Sequence, residues 1–372
     1  MPTGSNPASS VGMPLGPWLI LVGMHRSGTS ATAGALGALG FNVPAGEVRM
    51  DSPSSNPEHW ESHPLMLHND DVLNLLGGSW DAPPDLAPGW EHGPAMSLAN
   101  DPVPLVGAAY PDAGPLVWKD PRSCLLLPYW RTLIPGPQAA VFVWRPPMAV
   151  ARSLQARDQL TLVHGLALWE HYNLAALEGL RGTDVYVIDY ESLMADHRTV
   201  IGEVADWLGA LDQFAGHAGR WDVDRAASLV DDHLRHQAPG DEGGAHLLAE
   251  HDALVERLAG LGGGHRPFDP GPRIDESPWT SDVLAIRRVS RPLSARVRVL
   301  EALDVERNQQ VAELRSAMES SRQSLETTQA ELETFARLVT NMRESTSWRV
   351  TRPLRSAAVK VQRGLSQPGD SG

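Results

Sequence analysis

WLILVGMHRSGTSATAGALGAL, residues 18–39, is the stretch whose reading decides the fold. It opens with five apolar side chains, turns at Gly23, passes through a short polar loop and continues into an Ala/Leu-rich run that predicts a helix over 28–39. A short, continuously apolar run closed by glycine predicts a strand buried on both faces. The same alternation returns three times, as LVWKD over 116–120, AVFVWR over 140–145 and DVYVIDY over 184–190, each ahead of a helical stretch. Apolar strands separated by helices predict an α/β fold in which a parallel sheet is flanked by helices on both sides.

The loop itself, GMHRSGTS over 23–30, sits where a phosphate-cradling turn must sit, after a strand and at the start of a helix. Gly23 and Gly28 let the backbone approach a ligand, and the free N–H groups of Ser27, Gly28, Thr29 and Ser30, aligned with the helix dipole, attract an anion. The spacing of the glycines matches a Walker loop, which continues with Lys and then Ser or Thr. Here Thr29 stands where that lysine belongs, which weakens a kinase or ATPase reading even though VYVID, ending at Asp189, has the form of a strand carrying a magnesium-binding aspartate. The cation lies inside the loop instead, at Arg26, with His25 beside it.

With Arg26 in that place the loop resembles the 5′-phosphosulfate loop of sulfotransferases that use 3′-phosphoadenosine 5′-phosphosulfate (PAPS). A second signature follows at the end of AVFVWR, where Arg145 is succeeded eight residues later by Ser153. In the family this arginine and serine bind the 3′-phosphate, and a dianionic phosphate is well served by one planar charged donor and one hydroxyl. NPEHWES over 56–62, LGGSW over 76–80, WKDPR over 118–122, SLQARD over 153–158 and the pair Asp189 and Tyr190 resemble one bacterial branch of the family, so the likeness spans about residues 19–208. His59 departs from it, since the family usually has glycine there; it is either an acceptor-side residue or a tolerated substitution.

The resemblance implies a P-loop-type sheet and transfer of a sulfuryl group from PAPS, released as PAP, to an acceptor hydroxyl or amine with no metal required. In-line transfer needs a base for the acceptor's proton and cations for the charge that gathers on the leaving oxygen. Arg26 and the helix tip meet the second need. Lys119 is a candidate second cation, or else a salt-bridge partner of Asp120. Glu61 is the first choice of base, with His63 as its competitor; His25 packs or binds donor phosphate. The cofactor set is thus Gly23, His25, Arg26, Ser27, Gly28, Thr29, Ser30, Arg145 and Ser153.

Composition narrows the partners. The 372 residues are 42% hydrophobic and 20% charged, with a net charge of −14, which argues against a broad basic face for nucleic acid and leaves room for a local basic pocket. The lone Cys124 excludes an intramolecular disulfide framework and a cysteine-rich zinc site. Residues 1–16, rich in Gly, Pro and Ser, read as disordered and carry no basic, apolar leader, and no stretch reaches the ~20 apolar residues of a membrane span. Cytoplasm is the expected compartment.

Beyond a sulfotransferase domain over 17–280, whose 210–278 stretch reads as lid and edge with helical pieces over 224–235 and 246–261, the period changes. Val311, Met318, Leu325, Leu332 and Val339 occupy one heptad position, and Leu314, Ser321, Thr328, Phe335 and Met342 the other. Eight of these ten are apolar, which predicts a coiled-coil helix over 281–345 and a homo-oligomer whose order Ser321 and Thr328 do not fix. The tail over 346–372 sets Arg349, Arg352, Arg355, Lys360 and Arg363 among Trp348, Val350, Leu354, Val359 and Val361, a pattern suited to a peripheral membrane or protein contact, or to a solvated end. Residues 347–355 also resemble the ends of some bacterial polysaccharide-biosynthesis glycosyltransferases, which implies a glycan or glycolipid acceptor. The rival to catalysis is an assembly protein in which the coiled coil and tail do the work.

Overall fold

The computed structural model describes residues 16–49, 60–134, 136, 138–230 and 249–357, with backbone alone over 292–299 and 301–302. Of the stretch over 1–16 expected to be disordered, all but Gly16 lies outside the described residues, as do the Asn-Pro motif with His59 and the tail from 358, with Lys360 and Arg363. Contacts divide the chain into two units, Met1–Pro292 and Leu293–Gly372.

In chain order the first unit runs β1 (Trp18–Val22), α1 (Thr29–Leu39), α2 (His63–Leu75), α3 (Pro102–Ala109), β2 (Leu116–Lys119), α4 (Ser123–Leu133), β3 (Gln138–Trp144), α5 (Pro147–Asp158), α6 (Leu162–Leu180) and β4 (Asp184–Asp189). It continues with α7 (Tyr190–Ala195), α8 (His197–Gly209), α9 (Asp212–Ala215), α10 (Val223–Ser228), α11 (Ala249–Ala259) and β5 (Gly263–His265), and ends in the first turns of α12 (Pro278–Glu344). The five strands lie in the order β2-β1-β3-β4-β5. β1 to β4 are parallel, and β5 pairs antiparallel with β4.

All four strands expected from the apolar runs are present. Their alternating side chains feed two cores. Trp18, Ile20, Val22, Leu116, Trp118, Phe142 and Val185 join the side packed by α4 and α6. Leu19, Leu21, Val117, Val141, Val143 and Ile188 join the side packed by α1 and α8. Burial on both faces explains why the strands read as unbroken apolar runs rather than as a polar/apolar alternation. The strand that sequence reading missed, β5, is Gly-Gly-His at the sheet edge and offers no apolar signal. Of the helical pieces expected after residue 223, α10 and α11 are present, and residues 231–248 between them fall outside the described set.

A buried carboxylate anchors the start of α12 to the sheet's helical layer. Glu170 on α6 accepts from the Ser277 N–H at 2.6 Å, from Ser277 Oγ at 2.8 Å and from Thr280 Oγ1 at 2.6 Å, with His251 Nε2 at 3.3 Å. Burial alone raises its pKa, but these partners outweigh burial and hold it at about 2. Arg287 and Arg291, farther along α12, grip Asp81 at 2.6 and 3.2 Å.

The second unit is the remainder of α12 followed by α13 (Thr346–Val350), where the Arg355 guanidinium stacks 3.6 Å above the Trp348 ring. Among the described residues no helix is long and apolar enough to cross a membrane.

Candidate active site

Two neighbouring strands deliver the loop and the arginine to one place. β1 pairs with β3, with Val22 opposite Phe142, so Gly23 and Arg145 leave the sheet side by side at its carboxyl edge. This is where the strand order reverses, and open α/β sheets bind ligands in the crevice at such a switch point.

The glycines are required by close packing. A Cβ on Gly23 would lie 2.5 Å from the Val143 carbonyl oxygen, and one on Gly28 would lie 2.0 Å from the Tyr190 ring. Gly28 has φ 91°, a left-handed conformation open to glycine, and caps α1. Arg26 adopts φ 69° without that freedom, a local strain of about 1–3 kcal/mol that the surrounding structure must hold. The strained turn sends its guanidinium across to α5, where Nε donates to Ser153 Oγ at 2.7 Å. Arg26 and Ser153, placed by sequence reading at opposite ends of one nucleotide, are therefore in direct contact.

Arg145 is buried and stacks 4.8 Å over the Tyr190 ring while Nε donates to Glu191 at 3.3 Å. Its carbonyl accepts from Trp169 Nε1 at 2.8 Å, which fixes the backbone where β3 ends. Burial lowers the pKa of Arg26, and the nearby cations Arg157 and Arg145 push the same way. Arg157 was not among the residues expected at the site. It lies four residues after Ser153, on the same face of α5, and its Nε is held by Asp158 at 2.8 Å. The helical spacing from Ser153 is the signal that identifies it.

His25 is buried with its ring against Trp80, centroids 4.7 Å apart, and Tyr172, 5.8 Å apart. Burial first, then the cations Arg122, Arg157, Lys119 and Arg26, hold its pKa well below 6.5, so the imidazole is neutral at pH 7. Its Nε2 and the Ser27 hydroxyl are buried with no hydrogen-bond partner among the described residues. Trp80, the last residue of the LGGSW run, and Tyr172, which no motif announces, form a wall beside it.

The second cation and the first-choice base meet on the other flank of the loop. Lys119, the last residue of β2, contacts the Glu61 carboxylate and donates to Ser30 Oγ at 3.2 Å. The expected alternative, a Lys119–Asp120 salt bridge, is not the pairing found. Asp120 instead accepts from Asn69 at 2.8 Å and from Arg122, which also grips Asp70 at 2.7 Å. Burial, with Glu61 nearby, raises the Asp120 pKa against the pull of Arg122 and Asn69. His63 is exposed at the first residue of α2, two positions from Glu61. Thr29 is buried at the first residue of α1. Asp189, the candidate magnesium ligand of the kinase reading, caps α7 by accepting from the Glu191 N–H at 3.1 Å and Ser192 Oγ at 3.0 Å.

A cavity of about 450 Å³ lies elsewhere, lined by His171, Leu174, Leu177, Arg181, Arg257 and Ile274 among others, and includes none of these loop residues. The convergent polar groups are at the loop, and the chemistry is assigned there.

No family model and no curated protein matches the chain. Solved structures do. The sulfotransferase domain from the curacin biosynthetic pathway is 15% identical over 65% of this chain and 98% of that one, with a TM-score of 0.35. The sulfotransferase domain of a Synechococcus olefin synthase is 14% identical over 74% and 96%, with a TM-score of 0.32. A sulfotransferase from Mycobacterium tuberculosis is 17% identical over 60% and 77%, with a TM-score of 0.31. At these values the functional assignment stands on the site and not on the likeness.

Proposed function

We propose that the chain is a sulfotransferase that takes PAPS as donor, releases PAP, and passes the sulfuryl group to a hydroxyl or amine of a glycan or other small acceptor. One observation supports it above the rest. The glycine loop after β1 and Arg145 after the adjacent β3 close the same crevice, with Arg26 from the first reaching Ser153 beyond the second.

The residues present fit such a donor. Glycines stand where any side chain would collide, and buried His25 Nε2 and Ser27 Oγ have no partner among the described residues. Three guanidinium groups, Arg26, Arg145 and Arg157, crowd a site whose paired carboxylates are Glu191 and Asp158. When bound, PAPS supplies the sulfuryl group and a phosphate leaving group. Arg26 and the N–H groups of residues 28–30 would hold its 5′ end, the Ser27 N–H expected with them being taken by the Met24 carbonyl at 3.1 Å, and Arg145 with Ser153 would hold its 3′-phosphate. Lys119, beside Ser30, is placed to offset charge on the leaving oxygen. Glu61, in contact with Lys119, would accept the acceptor's proton, with the exposed His63 as the alternative. Neutral His25 offers one hydrogen bond at Nε2, as donor or acceptor according to its tautomer.

Calorimetric titration of the full chain with PAP and with ATP, each in excess EDTA and then in magnesium, tests this. The expected result is metal-independent binding of PAP and none of ATP. Magnesium-dependent ATP binding without PAP binding would return the chain to the kinase class.

A further inference from the structure

We infer that residues 311–342 of α12 pair with the same residues of a second copy of this chain as a parallel, in-register coiled coil. The observation is an apolar stripe left exposed among the described residues of its unit. Val311, Leu314, Met318, Leu325, Leu332, Phe335, Leu338 and Met342 are each 39 to 73% exposed. Scattered exposed leucines need no explanation, but a contiguous stripe of this length does. All but Leu338 fall in a strict seven-residue repeat held from Val311 to Met342. A straight helix repeats every 3.6 residues and drifts off a seven-residue period, so a strict heptad fits a partner that supercoils with it and not a fixed flat surface. The opposite face is polar, carrying Glu313, Glu319, Gln323, Glu326 and Glu333, and Arg322 beside the stripe donates through Nε to Glu326 at 3.1 Å one turn on.

A second copy is the occupant the layers favour, and their chemistry selects the orientation. In parallel register each core residue meets itself, so Ser321 faces Ser321 and Thr328 faces Thr328, and the other eight layers are wholly apolar. Thr328 Oγ1 already donates to the Ser324 carbonyl at 2.9 Å, which removes its need for a partner in that layer. In the antiparallel register that uses the same segment, Ser321 would face Leu332 and Thr328 would face Leu325, spreading hydroxyls over four layers instead of two. The flanking positions raise no objection to the parallel form. Their interchain neighbours are Gln310 with Arg315, Ala317 with Arg322, Ser324 with Gln329, Glu331 with Ala336 and Leu338 with Arg343, and no pair carries like charges. Leu338 widens the seam at one of these sites.

Sedimentation equilibrium of the full chain provides the test, independently of any activity. The expected mass is twice 40.3 kDa. Leu325→Asp with Leu332→Asp is expected to return the chain to a single copy, and Glu333→Ala, outside the stripe, to leave the doubled mass intact. Oxidation of a Ser321→Cys variant is expected to join two chains covalently, since Cys124 is buried. A single-copy mass for the unaltered chain at tens of micromolar overturns the inference. So does a doubled mass that survives both aspartates. Cross-linking of a mixture of Ser321→Cys and Leu332→Cys chains, with none in Ser321→Cys alone, overturns the parallel register.

Discussion

Replacing Arg145 by alanine tests the contact proposed to distinguish PAP from other adenosine nucleotides. The Arg145 side chain is 10% exposed, so a phosphate held there would be largely shielded from water. A hydrogen bond to a charged group contributes about 1.5–3 kcal/mol, and about 1.4 kcal/mol is tenfold in affinity, so the loss for PAP is about 10- to 150-fold. The fold should tolerate the change. Glu191, the ion-pair partner, has a side chain 31% exposed and can be rehydrated, and the Trp169 hydrogen bond goes to the backbone oxygen, which alanine keeps. Partly exposed ion pairs and cation–π contacts contribute only about 0–1 kcal/mol each. The assay is calorimetric titration of Arg145→Ala, Arg145→Lys and the unaltered chain with PAP and with adenosine 5′-phosphate, which lacks the 3′-phosphate. Affinity for PAP should fall to the level for adenosine 5′-phosphate in Arg145→Ala, fall less in Arg145→Lys, and stay within about threefold for adenosine 5′-phosphate throughout. Equal losses for both ligands would mean that Arg145 acts on shape and not on the 3′-phosphate, and the two-ended grip would be refuted.

Gly28→Ala puts a Cβ into the Tyr190 ring at a left-handed φ, and should lower the urea midpoint by the equivalent of about 1–3 kcal/mol, with part of that loss relieved in a Tyr190→Ala background. Unchanged stability would show that the loop relaxes away from Tyr190. Glu170 has a folded pKa of about 2 against an ordinary 4.5, so its contribution, about 3 kcal/mol, is present above pH 4.5 and is lost as pH falls toward 2; urea melts at pH 7, 4 and 3 should show the fall, and Glu170→Gln should flatten it. His25 has its pKa depressed, so the unfolded chain takes up that proton first and stability also declines as pH drops below 6.5. Its ring resonances in NMR should stay those of the neutral form at pH 6, and a protonated ring there would contradict the burial argument.

How much of this was legible in the sequence depended on whether the signal was local. The four parallel strands were, because a strand buried on both faces writes its burial into consecutive residues, as WLILV does. The loop was too, since an anion turn between strand and helix confines its glycines and its arginine to eight residues. β5 was not, because an edge strand of Gly-Gly-His is made by its pairing with Val185 to Val187 and not by its own side chains. The site followed the same division. Arg145 and Ser153 share one strand-to-helix turn and are readable by spacing, as Arg157 is one helical turn later. The partner of Lys119 was not readable, because Glu61 is 58 residues away in the chain and reaches the end of β2 only through the packing of α2. The same limit explains Arg26 and Ser153, 127 residues apart. Sequence reading assigned them to separate anions, yet the strand order that sets β3 directly beside β1 shortens the span until one guanidinium bridges it. On the function proposed above, a nucleotide held by both residues would exchange the Arg26–Ser153 hydrogen bond for contacts to its own phosphates.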